Sequence, residues 1–115
     1  MDDVFRALAD TSRRELLDRL FAQNGQTLNE LCARLANAGT SMTRQAVSKH
    51  LAILEGANLV ATVRRGREKL HYLNPVPIHD IAQRWIGKYE RQRLSALAEL
   101  KKGLEAKKGL EAKNE

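Results

Sequence analysis

The chain is 115 residues long, 43% hydrophobic and 30% charged, with a formal net charge of +6. That composition suits one globular domain with a modest core and excludes a disordered chain. No run of about 18 apolar residues offers a membrane span, and the single cysteine, Cys32, leaves no internal disulfide, as a reducing cytoplasm favours.

The opening MDDVFRALAD is acidic and amphipathic, without the basic and then apolar layout of a signal peptide. Val4, Phe5 and Leu8 form a short apolar stripe that predicts a first helix. Ser12 followed by Glu15 has capping-box spacing and introduces a second helix, with Leu16, Leu17, Leu20 and Phe21 as its core face. Asn-Gly-Gln at 24–26 stops it. Thr27 and Glu30 repeat the capping box ahead of a third helix that turns Leu28, Leu31, Cys32 and Leu35 inward. The following stretch, 36–41, is longer than the tight turn of an ordinary helix-turn-helix. Added length costs a surface loop little entropy, so an extruded loop with the helix pair intact is expected.

Thr43 is the expected N-cap of a fourth helix, 43–55, and Met42 with Val47 has the spacing of a hydrophobic staple. Val47, Leu51 and Leu54 share one face of it. Arg44, Gln45, Ser48, Lys49 and Ala52 share the opposite face. The helix should end near EGAN, where Gly56 or Asn58 can adopt a left-handed conformation. The period then changes. LVATVRR (59–65) and KLHYL (69–73) flank Gly66 and predict a β-hairpin whose tip carries Arg64, Arg65, Arg67 and Lys69. Asn-Pro-Val-Pro at 74–77 separates it from a long helix, 78 to about 100, striped with Ile78, Ile81, Ala82, Trp85, Ile86, Tyr89, Leu94, Leu97 and Leu100. KKGLEA then occurs twice, at 101–106 and 107–112, with helix-weakening Gly103 and Gly109. The expectation is one domain over 1–100 and a charged, frayed tail over 101–115.

The positive charge is placed unevenly. Residues 1–42 carry five basic and six acidic side chains, 43–74 carry six and two, and 84–115 carry nine and five. A solvated basic surface would account for the charge alone. A basic middle third is also the electrostatic footprint of a phosphate-backbone binder. The order of elements favours the second reading. Two helices, a loop, a polar-faced helix and a basic hairpin make a winged helix-turn-helix, whose second member enters a major groove about 12 Å wide. Gln45 suits a bidentate pair with adenine, Arg44 a guanine edge or a phosphate, Ser48 close approach, and Lys49 a phosphate or a guanine. The wing at 64–69 reaches the neighbouring minor groove or backbone.

The stretches VFRALAD-SRRELLDRL, LNELCARL, TRQAVSKHLAILE-ANLV and VRRGREKLHYLNPVPI resemble the ArsR/SmtB family of bacterial winged-helix transcriptional repressors, over about residues 3–100. The resemblance implies a mainly α fold with a small β-hairpin in the order α-α-α-α-β-β-α. It also implies a homodimer joined through its first and last helices, which binds operator DNA and leaves it when a signal binds. The long helix asks for a dimer independently. At 1.5 Å per residue it spans some 33 Å, more than a core of this size covers. Trp85, Ile86, Tyr89 and Leu97 therefore need a partner, with Val4, Phe5 and Leu8 beside the twin helix; an ordinary intramolecular core helix is the competing arrangement. Two-fold symmetry predicts a palindromic operator with half-sites about one helical turn apart.

Many relatives in that family sense metals through two cysteines in an ELCxC pattern, or through an Asp-x-His and a His-x-x-His/Glu pair on the last helix. Here Glu30-Leu31-Cys32-Ala33-Arg34 keeps the first cysteine and replaces the second with arginine, and a soft-metal thiolate site wants two or three sulfurs. The last helix offers His79-Asp80 in the opposite order with no second histidine after it. Cys32 is expected as a small buried hydrophobe, and His50 as a packing or backbone-bonding residue. No metal and no cofactor are expected, and the inducing signal is a non-metal one; a metal-responsive repressor is the alternative. A winged helix used for protein–protein contact is a second alternative, against which the basic wing argues. Cys32–His50 and His79–Asp80 lack the context of a catalytic site, and two Phe, two Tyr and one Trp make no stacking platform for RNA.

Overall fold

A computed structural model describes residues 2–114, with side chains through 107. The elements follow in order as α1 (Asp2–Leu8), α2 (Thr11–Ala22), α3 (Leu28–Asn37), α4 (Arg44–Gly56), β1 (Val60–Arg65), β2 (Glu68–Leu73) and α5 (Val76–Asn114). The expected α-α-α-α-β-β-α order is therefore the observed one. The chain divides into two compact units, Met1–His79 and Asp80–Glu115.

The core of the first unit is leucine-rich. Leu16 and Leu20 of α2, Leu31 and Leu35 of α3, Val47 and Leu54 of α4, and Leu59 at the foot of β1 are all completely or almost completely buried. Each contributes about 1.5–3 kcal/mol by leaving water. Helix α4 lies at the centre of the packing, touching α1, α2, α3 and β1. Its orientation is thus set by the whole unit and not by the turn before it.

The helix ends show which local signals win. Thr27 caps α3 with both halves of a capping box in place, and the Thr43 hydroxyl accepts from the Ala46 N–H at 3.1 Å to start α4. Ser12 does not cap α2. Asp10 does, accepting the Arg13 N–H at 3.1 Å, and this bond is the main cause holding its carboxyl below the ordinary 3.8. Glu15, the other half of the expected box, accepts from the Thr40 hydroxyl at 2.7 Å instead. Phe21, expected in the core, is 80% exposed near the end of α2, and Cys32 is half-buried where full burial was expected.

The long connection between α3 and α4 is accounted for bond by bond. Helix α3 continues through Asn37, and Gly39 at φ +83° closes it. The Gly39 N–H donates to Ala36 O at 3.0 Å and the Thr40 N–H to Leu35 O at 2.9 Å, which together make a Schellman motif. With Thr40 also fastened to Glu15 of α2, the segment is a capped helix end pinned to the core and not an extruded loop. Helix α4 ends in the same way: Asn58 at φ +62° donates to Glu55 O, and Leu59 donates to Leu54 O at 2.9 Å.

Helix α5 begins at Val76, earlier than expected, because Pro77 falls in the first turn, where a proline lacks only an N–H that has no partner anyway. It also runs on through both KKGLEA copies. Lysine, leucine, glutamate and alanine are strong helix formers, and one glycine in six at about 1 kcal/mol does not offset them. Glu115 and the side chains from 108 onward, part of the expected tail, lie outside the described residues. No helix among the described residues is long and apolar enough to cross a membrane.

Candidate nucleic-acid interface

Helix α4 presents two different faces. Val47, Leu51 and Leu54 are buried, while Arg44, Gln45, Ser48, Lys49 and Ala52 are exposed on the other side, and Thr43 is exposed at the cap. The periodicity alone demands this split: at 3.6 residues per turn, positions 47, 51 and 54 align and 44, 45, 48, 49 and 52 oppose them. Arg44 donates to the Asn29 side chain in the first turn of α3. That contact ties the guanidinium at the start of α4 to the start of α3.

The wing is a tight hairpin. Strands β1 and β2 pair antiparallel from Val60 opposite Leu73 to Arg65 opposite Glu68, so only Gly66 and Arg67 form the loop. Gly66 has φ +64° and Arg67 does not share the positive φ, which fits a II′ turn with glycine first. Arg64, Arg65, Arg67 and Lys69 are all exposed. Arg64 faces Lys69 across the ladder, a like-charge pair that costs stability on its own.

Glu55, near the C-terminus of α4, relieves that repulsion and ties the wing to the helix. Its carboxylate accepts from Lys69 Nζ at 3.2 Å and from the Thr62 hydroxyl at 3.1 Å. Partial burial pushes the Glu55 carboxyl up, but the Lys69 and Thr62 hydrogen bonds outweigh it and hold the group below its ordinary 4.5. A depressed carboxyl stabilises the folded state fully above 4.5 and loses that contribution as the pH falls through the lowered value. Wing amide resonances should therefore titrate in acid with a midpoint below 4.5, and Glu55→Gln should abolish the titration. An unchanged profile in that variant would assign the midpoint to another group.

The base of the wing is held by the connection between α2 and α3. The His71 N–H donates to Gln26 O at 2.8 Å, its Nδ1–H donates to the same oxygen at 2.9 Å, and His71 O accepts from Gly25 at 2.8 Å. Asn24 Oδ1 accepts from the Leu73 N–H at 2.7 Å. Residues 24–26 thus act as a short third edge of the sheet. Gly25 sits at φ +78°, and a Cβ there would meet Tyr72 Oη at 3.2 Å. Gly25→Ala should lower unfolding stability by about 1–2 kcal/mol in a urea titration; a change within error would mean that the backbone relaxes there.

On the other side of α4, Arg13 fastens that helix to α1. Its Nε donates to Ala7 O at 2.8 Å, its Nη2 to Arg6 O at 3.0 Å, and its Nη1 meets His50 Nδ1 at 3.3 Å. A guanidinium can only donate, so His50 accepts there and bonds a side chain, not backbone. Between α3, α4 and the wing lies an open cleft of about 380 Å³, lined by Asn29, Arg44, Ser48, Glu55, Arg67 and Lys69 among others. The exposed face of α4 and the basic strands of the wing border one concave surface, with the N-terminus of α3 at its edge.

This assembly has known counterparts. A helix-turn-helix domain family matches residues 8–63. An uncharacterised HTH-type transcriptional regulator of Bacillus subtilis, YuzN, is 42% identical over 86 residues, covering 74% of this chain and 94% of its own. An ArsR-like transcriptional regulator from Rhodococcus sp. RHA1 superposes with a TM-score of 0.68 at 31% identity, covering 89% of this chain and 90% of that one. The chain belongs to the ArsR-like family of winged helix-turn-helix transcriptional regulators. The transcriptional repressor SdpR of Bacillus subtilis is also similar, 28% identical over 80 residues, covering 70% of this chain and 82% of its own.

As an ArsR-like regulator the protein binds DNA, and its other expected surfaces can be placed individually. Val4 is buried within its own chain, while Phe5 is 47% exposed and Leu8 is half-buried. Trp85, Ile86, Tyr89 and Leu97 are all more than half exposed on α5, and Lys88 Nζ stands 5.3 Å over the Trp85 ring. Among the described residues no three His, Cys, Asp or Glu side chains converge as a metal-binding group. Sequence reasoning missed Asn29, Glu55 and the Gln26–His71 bridge. The first two sit on the faces of their helices that border the cleft, a placement that only the packing of α3, α4 and the wing defines.

Proposed function

We propose that this ArsR-like regulator is a homodimeric transcriptional repressor that works in the cytoplasm on a palindromic operator. Thr43, Arg44, Gln45, Ser48 and Lys49 of α4 would enter the major groove. Arg64, Arg65, Arg67 and Lys69 of the wing would contact backbone or minor groove. The observation that carries the reading is the exposed polar face of α4 standing beside the basic wing, each tied to the core by its own contacts. Lys69 has a second task in its bond to Glu55. Its contribution to DNA affinity should be smaller than that of the wing arginines.

Repression is supported by similarity to SdpR, whose name is that of a repressor. Dimerisation is supported by the exposed stripe of α5, since monomeric proteins rarely leave large contiguous apolar patches open to water. Phe5 and Leu8 of α1 would join Trp85, Ile86, Tyr89 and Leu97 in the interface; Val4 is already covered by its own chain. Residues 1–100 would act together as the DNA-binding and dimerisation domain, with 101–115 a charged tail and release by a non-metal signal.

Gel-shift titration against the DNA upstream of the protein's own gene tests the reading. Binding should prefer one sequence and weaken linearly in a log–log plot against salt, because each neutralised phosphate releases counterions. Absence of any shift at low salt would sink the DNA-binding reading and leave a protein-contact module. A shift with no sequence preference would remove the operator while keeping the basic surface.

A further inference from the structure

The stripe along α5 contains two charges in its middle. At 100° per residue, Ile86, Glu90, Arg93 and Leu97 fall within an arc of about 60°, and all four are exposed. The pattern reads the same from either end. Ile86 lies as far before the Arg91–Gln92 peptide bond as Leu97 lies after it, and Glu90 and Arg93 are related in the same way. Tyr89 and Leu94, also so related, flank the stripe on opposite sides.

A helix face with that symmetry is complementary to itself run backwards. We infer that two copies of α5 pair antiparallel in one register centred between Arg91 and Gln92, with Ile86 against the partner's Leu97 and Glu90 against the partner's Arg93. The inference rests on the homodimer reading and adds orientation and register to it. Two-fold symmetry makes every contact occur twice, so the pair closes with one apolar contact on each side of two reciprocal ion pairs.

The charges exclude the other arrangements. A parallel pair would set Glu90 against the partner's Glu90 and Arg93 against the partner's Arg93, two like-charge pairs in the seam. Sliding the antiparallel pair by one turn sets Glu90 against the partner's Leu97, or Arg93 against the partner's Ile86, and leaves charges facing apolar side chains without compensation. A different protein as occupant would require no internal symmetry of this face. Polar residues within apolar helix seams commonly act in this way, specifying register more than adding affinity.

Light scattering and sedimentation of the full chain test the register, using E90R, R93E, their equimolar mixture and the E90R/R93E double variant. The wild type should be a dimer, and each single variant should dimerise about tenfold or more weakly. The mixture should form a 1:1 heterodimer, and the double variant should recover the homodimer. In a Cys32→Ala background, I86C mixed with L97C should crosslink on oxidation, whereas neither should crosslink alone, because like positions lie about 16 Å apart along the axis. Crosslinking of I86C to itself would overturn the antiparallel register. A dimeric wild type with single variants that dimerise equally well would overturn the register while keeping the homodimer. A monomeric wild type at tens of micromolar would overturn both.

Discussion

Arg44→Ala combined with Gln45→Ala is expected to abolish base preference while leaving binding to bulk duplex largely in place. A well-formed bidentate contact between a side chain and a base edge discriminates by about 1–3 kcal/mol, so the pair together supplies about 2–6 kcal/mol per protomer. Specific binding generally exceeds non-specific binding by about 4–10 kcal/mol, and two half-sites would place most of that range on these four side chains. The residual binding belongs to the phosphate contacts. Arg65→Ala should behave in the opposite way, weakening all sequences about equally and reducing the salt slope by about one. Asn29→Ala should produce a smaller version of the Arg44 effect, because Arg44 keeps its charge but loses the side chain that orients it. Competition binding against a panel of single-base operator variants separates the three. Retention of the wild-type base preference by the double variant would move the reading face away from the start of α4.

What could be read from the sequence divides by the range of the interaction. The caps of α3 and α4 were legible because a threonine and the N–H three residues on form a local unit that nothing distant has to complete. The Ser12–Glu15 pair has the same spacing and failed because of a distant residue: Glu15 is taken by Thr40, 25 residues away, and Asp10 caps the helix in its place. Phe21 follows the apolar period of α2, but periodicity gives the direction of a face and not how far along the helix a neighbour covers it. The segment after α3 was legible in length and not in conformation. A glycine at 39 is a visible signal for a Schellman ending, whereas the anchor on α2 is not. The same limit hid the Gln26–His71 bridge, whose members are 45 residues apart. The exposed polar face of α4 was fully legible, since its exposure is the complement of the apolar period. The tie between Glu55 and Lys69 was not, although both residues lay in segments already singled out. Opposite charges on a helix and a strand carry no signal of contact until the angle between the two elements is known.

The largest effect of a single substitution on operator binding is expected from Leu97→Glu, a residue that touches no DNA in the proposed arrangement. Leu97 is 51% exposed in the single chain and belongs to the unit that begins at Asp80, apart from the leucine core. Thermal unfolding of the first unit should therefore move by no more than a degree or two. In the dimer the same change places two carboxylates in the apolar seam, and an unpaired buried charge is among the costliest single changes available. Separation of the protomers converts binding at two linked half-sites into binding at one. Linkage commonly multiplies affinity by about 10²–10⁴ without any added contact, so operator affinity should fall by about that factor. The salt slope should fall to about half, because each protomer neutralises half of the phosphates. These readouts identify the cause. A damaged recognition surface lowers affinity without halving the slope or changing the mass in solution, and a damaged core lowers the unfolding temperature. Only loss of the partner gives a stable monomer with half the slope, and an undiminished dimer in this variant would remove Leu97 from the interface.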